Sequence, residues 1–501
     1  MTEVPSSANR IVRGALQTVG SVYVARLANW TANIILMRQL SAENFGLAAT
    51  ALAIITLISV LRRFGLHFAL IHRYDRVEDL VPTHFFLNAG LGAISTIMAV
   101  AISKLFLEDH YAPVIVSAVV VYSVADFFRN AVMTAEAQLR RDLRFGIMAG
   151  AHAAATVVAS IVAVGAAYSG FGVWALVVGF FVNNSVAYVV VYVLALWSHK
   201  PPPLSRIGEF DIAGARALLR YGVWFWLGAS MQALILHYDR LVVGSFFGEN
   251  SLGIYVQAHL FAQIPTGAVS HTLMGVTGAV YARFQNDKDR LSAAFRRTQR
   301  LIVRAIVPIT VILAMEGPEL VTLLVGERWV ELVPVLRWLI LYSLCKPIIE
   351  DINALLFGIG ETRVTAQISV VQGICILVAA PLLTQFLGVR GTALGMDVMA
   401  GLGLLMATRA ASRHIDISWT RTLVPPLVAV ATAVVIRVQL STIIGDFSMV
   451  LSVLAGTIVL SLGYVGILLL LERAVLLDDL RSFMDAYRHK SRPIGKGVFP
   501  G

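Results

Sequence analysis

A row of polar side chains lies within an apolar stretch near the start of the chain, SVYVARLANWTANIILMR at residues 21–38. Its members recur every three or four residues and therefore share one face of a helix: Tyr23, Arg26, Asn29, Trp30 and Asn33. Arg26 carries a permanent charge, and a guanidinium group can bind two phosphate oxygens at once. A guanidinium flanked by amides predicts a binding site for an anion.

Two interpretations of Arg26 are open. A charge at the bilayer centre costs about 2.5–3.5 kcal/mol on insertion scales, so such a residue faces protein or water rather than lipid. In the structural interpretation, Arg26 pairs with a carboxylate of a neighbouring helix and stabilises only the fold. In the functional interpretation, it faces a cavity and binds phosphate, an attraction that exclusion of bulk water strengthens.

Further basic residues fall inside apolar stretches. Arg62 and Arg63 are adjacent, so they point about 100° apart on a helix: one could face a cavity while the other extends toward lipid headgroups. For this pair a structural role and a binding role are equally open. His237 and Arg240 are three residues apart in LILHYDRLVV and share a face. Asp239 points elsewhere, and for it an ion pair within the fold and a substrate contact are equally open.

Four carboxylates lie within apolar stretches and are candidates for binding a proton or a cation: Asp126, Glu350, Asp351 and Asp397. Lys346 precedes Glu350 by four residues, which predicts an ion pair within one helix. Asp126 is predicted to pair with Arg129. Asp397, in ALGMDVMAGLG, has no partner nearby in the sequence, and an unpaired intramembrane carboxylate can carry a proton or help to hold Na⁺.

The whole composition is that of an integral membrane protein. Of 501 residues, 57% are hydrophobic and 14% are charged, whereas soluble domains carry about 25% charged residues. Apolar stretches of about 20 residues recur, long enough to cross a bilayer. We predict an all-α protein with fourteen transmembrane helices, at about 14–37, 45–71, 82–104, 113–135, 146–168, 172–196, 221–246, 251–281, 301–324, 332–357, 364–386, 390–409, 422–439 and 448–471.

Charge predicts the orientation and excludes other classes of protein. The net charge is +10, but Lys and Arg are concentrated in alternate short loops, which controls topology and does not indicate nucleic acid binding. The opposite loops contain few basic residues, namely Arg38, Lys104, Arg328, Arg337 and Arg390. Both termini are therefore predicted to be cytoplasmic. Cys345 and Cys375 lie in apolar stretches and indicate neither a disulfide framework nor a metal site.

A connection with three consecutive prolines divides the first twelve helices into two sets of six. We predict an N-lobe at 1–196, a cytoplasmic linker with an amphipathic helix at 197–220 and a C-lobe at 221–412, followed by two more helices at 413–472 and a cytoplasmic tail at 473–501. The lobes resemble each other. SAENFGL aligns with GENSLGI, so that Gly46 matches Gly253, and SGFGVWAL aligns with LGVRGTAL, so that Gly170 matches Gly388. These matches predict parallel repeats related by an axis along the membrane normal.

Several stretches resemble Wzx-like polysaccharide transporters, members of the multidrug/oligosaccharidyl-lipid/polysaccharide exporter superfamily. They occur in the same order as in that family: Leu40–Arg73, Ala137–Phe145, Gly170–Val177, Tyr238–Tyr255 and Pro318–Leu339. The resemblance covers roughly residues 10–415. Arg62 and Arg63 depart from the family pattern, where an acidic or small residue is common, and predict a different cavity chemistry.

The resemblance implies two six-helix lobes around a central cavity plus two C-terminal helices. It also implies a flippase, not an enzyme, that moves undecaprenyl-diphosphate-linked oligosaccharide across the bacterial inner membrane by alternating access, for exopolysaccharide or O-antigen assembly. No cofactor is expected, although coupling to a Na⁺ or H⁺ gradient is. The expected partners are the lipid-linked substrate, membrane lipids, a polymerase and other export proteins, and no nucleic acid.

Three other functions are weighed against this one. A cation-coupled drug antiporter of the same superfamily would favour acidic residues in its cavity, whereas the candidate residues here are mainly arginines. A peptidoglycan-precursor flippase would use similar arginines, but RRDLRF and GFGVWAL favour the polysaccharide branch. A membrane-embedded polymerase or glycosyltransferase would need a large outward loop, and the outward loops are short.

Overall fold

The computed structural model describes residues 7–60, 77–142, 144–197, 209–444 and 448–489. Every regular element in these ranges is helical, as predicted. The α-helices are α1 Ser7–Gln39, α2 Ala42–Ser59, α3 Val77–Ile102, α4 Pro113–Arg141, α5 Phe145–Tyr168, α6 Val173–Trp197, α7 Ile212–Ala262, α8 Ile264–Arg283, α9 Lys288–Met315, α10 Gly317–Val325, α11 Leu332–Trp338, α12 Ile340–Gly358, α13 Thr362–Leu387, α14 Val389–Ala411, α15 Trp419–Ile444 and α16 Met449–His489. A π-helical turn, Ser103–Leu107, extends α3.

Among the described residues, fewer helices than predicted have the length and apolar composition of a membrane span. Within the described residues, ten helices are long and apolar enough to cross a membrane, or eleven if the bent pair Glu327–Trp338 and Ile340–Gly358 is one span. The count of fourteen is therefore not confirmed. The shortfall arises partly where polar residues interrupt a helix, as Arg26 does in α1, because hydropathy alone does not identify a span that faces protein or water.

Glycines with positive φ lie in the short gaps that the predicted spans leave near 168–172, 246–251 and 386–390. Gly170 has φ +81° between α5 and α6, and Gly388 has φ +64° between α13 and α14. Gly248, with φ +76°, breaks α7 into two segments. A side chain would strain the backbone in this region of φ, so glycine permits each reversal or break without an insertion.

The two halves of the predicted repeat meet in a reciprocal contact. A Cβ atom added at Gly46 of α2 would lie 1.8 Å from the backbone oxygen of Glu249, and one added at Gly253 of α7 would lie 1.8 Å from that of Ala42. Gly46 aligns with Gly253 at a spacing of 207 residues, and Ala42 aligns with Glu249 at the same spacing. Each segment therefore presents its glycine to the equivalent position of the other, as expected about a twofold axis.

By its internal packing the chain forms two compact units. Unit 1 comprises Met1–Leu260, Leu324–Leu339 and Ala366–Gly403. Unit 2 comprises Phe261–Leu323, Ile340–Thr365 and Leu404–Gly501. The lobe boundaries at 196 and 221 remain predictions. The amphipathic stretch predicted in the linker begins α7: Arg216 and Arg220 are exposed, and the buried Leu218 packs with Leu87 and Leu91 of α3.

In unit 1, the segment Leu324–Leu339 contacts the carboxyl end of α1. The backbone oxygen of Met37 accepts hydrogen bonds from the guanidinium group of Arg328 and from Nε1 of Trp329, the latter at 2.8 Å. Nε of Arg38 donates to the backbone oxygen of Leu324, also at 2.8 Å. These donors satisfy carbonyl groups at the end of a helix. A cation near the carboxyl end of a helix also interacts favourably with the helix dipole.

In unit 2, two buried ion pairs attach the last two helices to α9 and its carboxyl end. Nη2 of Arg304 lies 2.6 Å from Oε2 of Glu472, and Nε of Arg437 lies 2.8 Å from Oε1 of Glu316. All four side chains are mostly buried, so loss of one partner would leave an uncompensated charge. The two C-terminal helices are therefore an integral part of unit 2.

Candidate functional site

The polar face of α1 is partly open. Arg26 and Asn33 are half-buried and Asn29 is exposed. Tyr23, one turn before Arg26, is 42% exposed, and Leu27 on the apolar side is 68% exposed. Arg26 has an interaction partner in the structure, so it is not an isolated charge. Its half-buried position leaves it able to meet a ligand as well.

Asn33 connects α1 to α7. Its Nδ2 donates to Oε1 of Gln257 at 3.1 Å, and Gln257 is 2% exposed. The same amide group lies 3.4 Å from the sulfur atom of Met37. Asn33 thus has a structural partner that its sequence neighbours did not indicate. The polar face of α1 is held by this contact towards its carboxyl end, while Asn29 stays exposed.

The polar residues of α7 form a buried group around Asp239. Tyr255 donates to Oδ2 of Asp239 at 2.7 Å, and Nδ1 of His259 lies 3.6 Å from the same oxygen. Asp239 is fully buried, whereas His237 and Arg240 are half-buried. Asp239 therefore takes part in a side-chain network within α7, which favours its structural role over a direct substrate contact. The candidate residues His237 and Arg240 are not part of the hydrogen bond between Tyr255 and Asp239.

Arg62 and Arg63 lie outside the described residues, so their predicted cavity position stays a prediction. Asp126, on α4, has Ser59 of α2 as a partner: Oγ of Ser59 donates to its Oδ2 at 2.5 Å. Arg129, the predicted partner of Asp126, is exposed. This carboxylate joins two helices of unit 1.

In unit 2, Asp351 is the centre of a hydrogen-bonded network. The hydroxyl of Tyr281 lies 3.0 and 3.1 Å from its two carboxylate oxygens, and Nε2 of Gln299 donates to Oδ2 at 2.9 Å. All three side chains are almost completely buried. Because hydrogen-bond donors surround the carboxylate, it is arranged as an acceptor within the fold. A bound cation would need additional oxygen ligands.

Glu350, on the same helix, is half-buried. Lys346, its predicted partner, places its ammonium group 5.3 Å from the centre of the Tyr342 ring, which is within the range of a cation–π interaction. The ion pair between Lys346 and Glu350 stays a prediction.

Asp397 is 7% exposed on α14, so its predicted burial is confirmed. The expectation that it is unpaired is wrong, because Asp397 has an interaction partner in the structure. Within the described residues, no group of three or more His, Cys, Asp or Glu side chains could hold a metal ion.

Several buried polar residues outside the predicted site also take part in the contacts described above. Tyr255, Gln257 and His259 are spaced two residues apart in the apolar stretch LGIYVQAHLFAQ, and all three are buried and take part in hydrogen bonds or charge contacts. Polar residues repeated within a predicted span were the available signal. Tyr281 and Gln299 gave no comparable signal, because their relation to Asp351 depends on the packing of three helices.

Comparison with known proteins identifies the family. Residues 35–334, more than half of the chain, match the family described as "Polysaccharide biosynthesis protein". The chain belongs to this family. Among its relatives are the lipopolysaccharide biosynthesis protein WzxC of Escherichia coli, 22% identical over 72% of each chain. The succinoglycan biosynthesis transport protein ExoT of Rhizobium meliloti is 22% identical over 66% of this chain and 65% of its own length.

Solved structures identify the fold of this polysaccharide biosynthesis protein. The lipid II flippase MurJ in an inward closed conformation superimposes with a TM-score of 0.76 and 12% identity, covering 92% of this chain and all of MurJ. An inward-facing multidrug resistance transporter of the MATE family gives a TM-score of 0.59 at 18% identity, over 79% of this chain and 98% of its own. The predicted transporter fold is confirmed.

Proposed function

We propose that the protein is a flippase that moves undecaprenyl-diphosphate-linked oligosaccharide across the bacterial inner membrane by alternating access. The half-exposed polar face of α1, with Arg26 near its middle, is the observation that carries the proposal. Similarity to WzxC, named for lipopolysaccharide biosynthesis, and to ExoT, named for succinoglycan transport, supports this substrate class. The fold shared with the lipid II flippase MurJ supports the transport of a lipid-linked sugar.

Arg26 would bind the diphosphate partway across the membrane. It lies about 18 Å from the cytoplasmic end of the predicted first span, at 1.5 Å per residue. A diphosphate that leaves water loses the hydration of several negative charges, and only fixed positive charge or water inside the protein can compensate that loss. The exposed amide of Asn29 would add a hydrogen bond, while the polyprenyl tail stays in lipid.

Export measured in cells lacking the gene tests this role. Arg26→Ala should abolish polysaccharide export while the protein still reaches the membrane, and Arg26→Lys should export partially because it keeps the charge and loses the planar fork. Arg390→Ala, which removes an exposed arginine of the same unit, is the control and should export normally. Normal export by Arg26→Ala at normal expression would refute the diphosphate role. Extrusion of cationic dyes by the wild type would instead favour a drug antiporter.

The proposal includes an orientation and a driving force. Both termini would be cytoplasmic, and a Na⁺ or H⁺ gradient would drive transport through one of the intramembrane carboxylates. A polymerase and other export proteins would receive the product. Cysteines introduced at Asn286 or Arg413 should react only with reagents on the cytoplasmic side, and one at Asn250 only from outside. Labelling of position 286 from outside would overturn the orientation.

A further inference from the structure

A group of polar side chains joins α4, α5 and α6 inside unit 1. It consists of Glu136, His152, Thr156, Asn183 and Tyr188, here called the α4–α6 group. Nε2 of His152 lies 3.1 Å from Oε1 of Glu136, and Nδ2 of Asn183 donates to the hydroxyl of Thr156 at 3.3 Å. The rings of His152 and Tyr188 meet edge to face, with centres 6.3 Å apart. All five residues lie within helices able to span the membrane.

Part of the α4–α6 group is accessible, whereas its Tyr188 is buried. The side chain of His152 is 42% exposed and that of Glu136 is 16% exposed. An ionisable pair exposed at membrane depth would be costly against lipid, so it is expected to face water inside the protein. His152 and Glu136 are therefore the side chains of the group that we expect to face water inside the protein.

A second polar cluster in the same unit has the opposite character. His84 and Asn88 of α3 meet Thr134 of α4, with Nδ1 of His84 2.8 Å from the hydroxyl of Thr134. All three side chains are buried, and His84 is completely so. That arrangement is typical of polar residues that hold two membrane helices together. Exposure, not polarity alone, distinguishes the α4–α6 group.

The depth of the group matches that of Arg26. A Cβ atom added at Gly150 of α5 would lie 4.0 Å from Oγ of Ser21 on α1, which sets the register of these two helices. The helices α1 and α5 correspond to the first and fifth predicted spans, so in the predicted topology they cross the membrane in the same direction. Counting from this contact, Thr156 lies roughly level with Arg26, and His152 lies about one turn closer to the cytoplasm.

The chemistry of the group suits sugar hydroxyls. A hydroxyl both donates and accepts hydrogen bonds, and the group offers a carboxylate acceptor, an imidazole and an amide that does both. We propose that the α4–α6 group is a subsite for the sugar residues of the lipid-linked substrate, with Glu136 and Asn183 as its hydrogen-bonding side chains. This inference rests on the proposed function. Sugars that extend from a diphosphate at Arg26 towards the cytoplasm would reach this level of the membrane.

The test compares two lipids on the same purified protein in lipid nanodiscs. One is bare undecaprenyl diphosphate, and the other is the undecaprenyl-diphosphate-linked repeat unit that accumulates in cells lacking the gene. The wild type should bind the sugar-bearing lipid about tenfold more tightly, which corresponds to one or two net hydrogen bonds. Glu136→Gln and Asn183→Ala should each lower this ratio about threefold or more and leave the affinity for the bare lipid unchanged.

Asn88→Ala is the matched control, because it removes a buried amide of the second polar cluster, which Asn88 forms with His84 and Thr134. It should leave the ratio of affinities unchanged even if it destabilises the protein. Loss of folded protein lowers the binding of both lipids by the same factor. If Glu136→Gln fails to fold, Asn183→Ala carries the test without removing a charge.

Equal binding of both lipids by the wild type would overturn the subsite. Ratios that stay unchanged in both variants, or that fall equally in Asn88→Ala, would do the same. Failure of the wild type to bind either lipid would overturn the proposed function itself, and is thereby distinguished from failure of the subsite alone.

Discussion

Substitution of Gly46 or Gly253 by alanine should disrupt the contact between the two repeats. In each case the new Cβ atom would lie 1.8 Å from a backbone oxygen of the opposite segment. Ordinary contact needs about 3.4 Å, and neither backbone can turn away as a flexible side chain could. The helices would have to separate by about 1.5 Å, a form of overpacking that costs about 3 kcal/mol at the upper end of its usual range. Alanine regains about 1 kcal/mol in helix propensity, so we expect a net loss of about 2 kcal/mol.

The two substitutions should not be additive. Separation forced by the first alanine also makes room for the second, because both glycines belong to one contact. The double variant should therefore lose clearly less than the sum of the single losses. Free energies of unfolding from denaturant titration of the purified protein in detergent would measure this coupling.

Gly90→Ala is the matched control. Gly90 lies in α3 with no atom within 4 Å of an added Cβ, so this variant should be as stable as the wild type or slightly more stable. Wild-type stability in both single variants, or fully additive losses in the double variant, would refute the close reciprocal contact.

Three further predictions concern single residues. Trp329→Phe keeps most of the buried ring but loses the hydrogen bond to the Met37 oxygen, so the free energy of unfolding in denaturant should fall by about 1 kcal/mol. Its control is Trp338→Phe, at a 40% exposed site, which should change that free energy very little. Burial raises the pKa of Glu249, which lies between two predicted spans; the hydrogen bond from Thr50 opposes this shift and the charge of Glu43 adds to it. Its contribution to stability should therefore be complete below the ordinary glutamate value and be lost as pH rises through the raised value, and melting temperatures of Glu249→Gln should lack this pH dependence. If Asp397 binds the coupling ion, Asp397→Asn should fold normally yet lose gradient-dependent export in vesicles, and normal export would remove it from the mechanism.

The sequence was sufficient for features that depend on neighbouring residues. Apolar stretches of spanning length predicted helices, and each predicted span overlaps helix in the structure, because the bilayer leaves the backbone few alternatives. The bounds of the predicted spans left only short connections near 168–172 and 386–390, and there the structure has Gly170 and Gly388 with positive φ angles that glycine adopts freely. The match of Gly46 with Gly253 was visible as well, although nothing in it indicated that the two segments touch.

Tertiary structure alone decided which polar groups meet. Asn33 and Gln257 are separated by 224 residues, and no local pattern connects them. The donors around Asp351 were hidden for the same reason, because Tyr281 and Gln299 lie on other helices, 70 and 52 residues away along the chain. Periodicity establishes which face of a helix is polar, whereas burial and partners depend on the packing of other helices against that face. The difference between the exposed His152 and the buried His84 is therefore a property of the folded chain: both are single histidines in apolar stretches, and only packing separates a group open to a ligand from one that holds helices together.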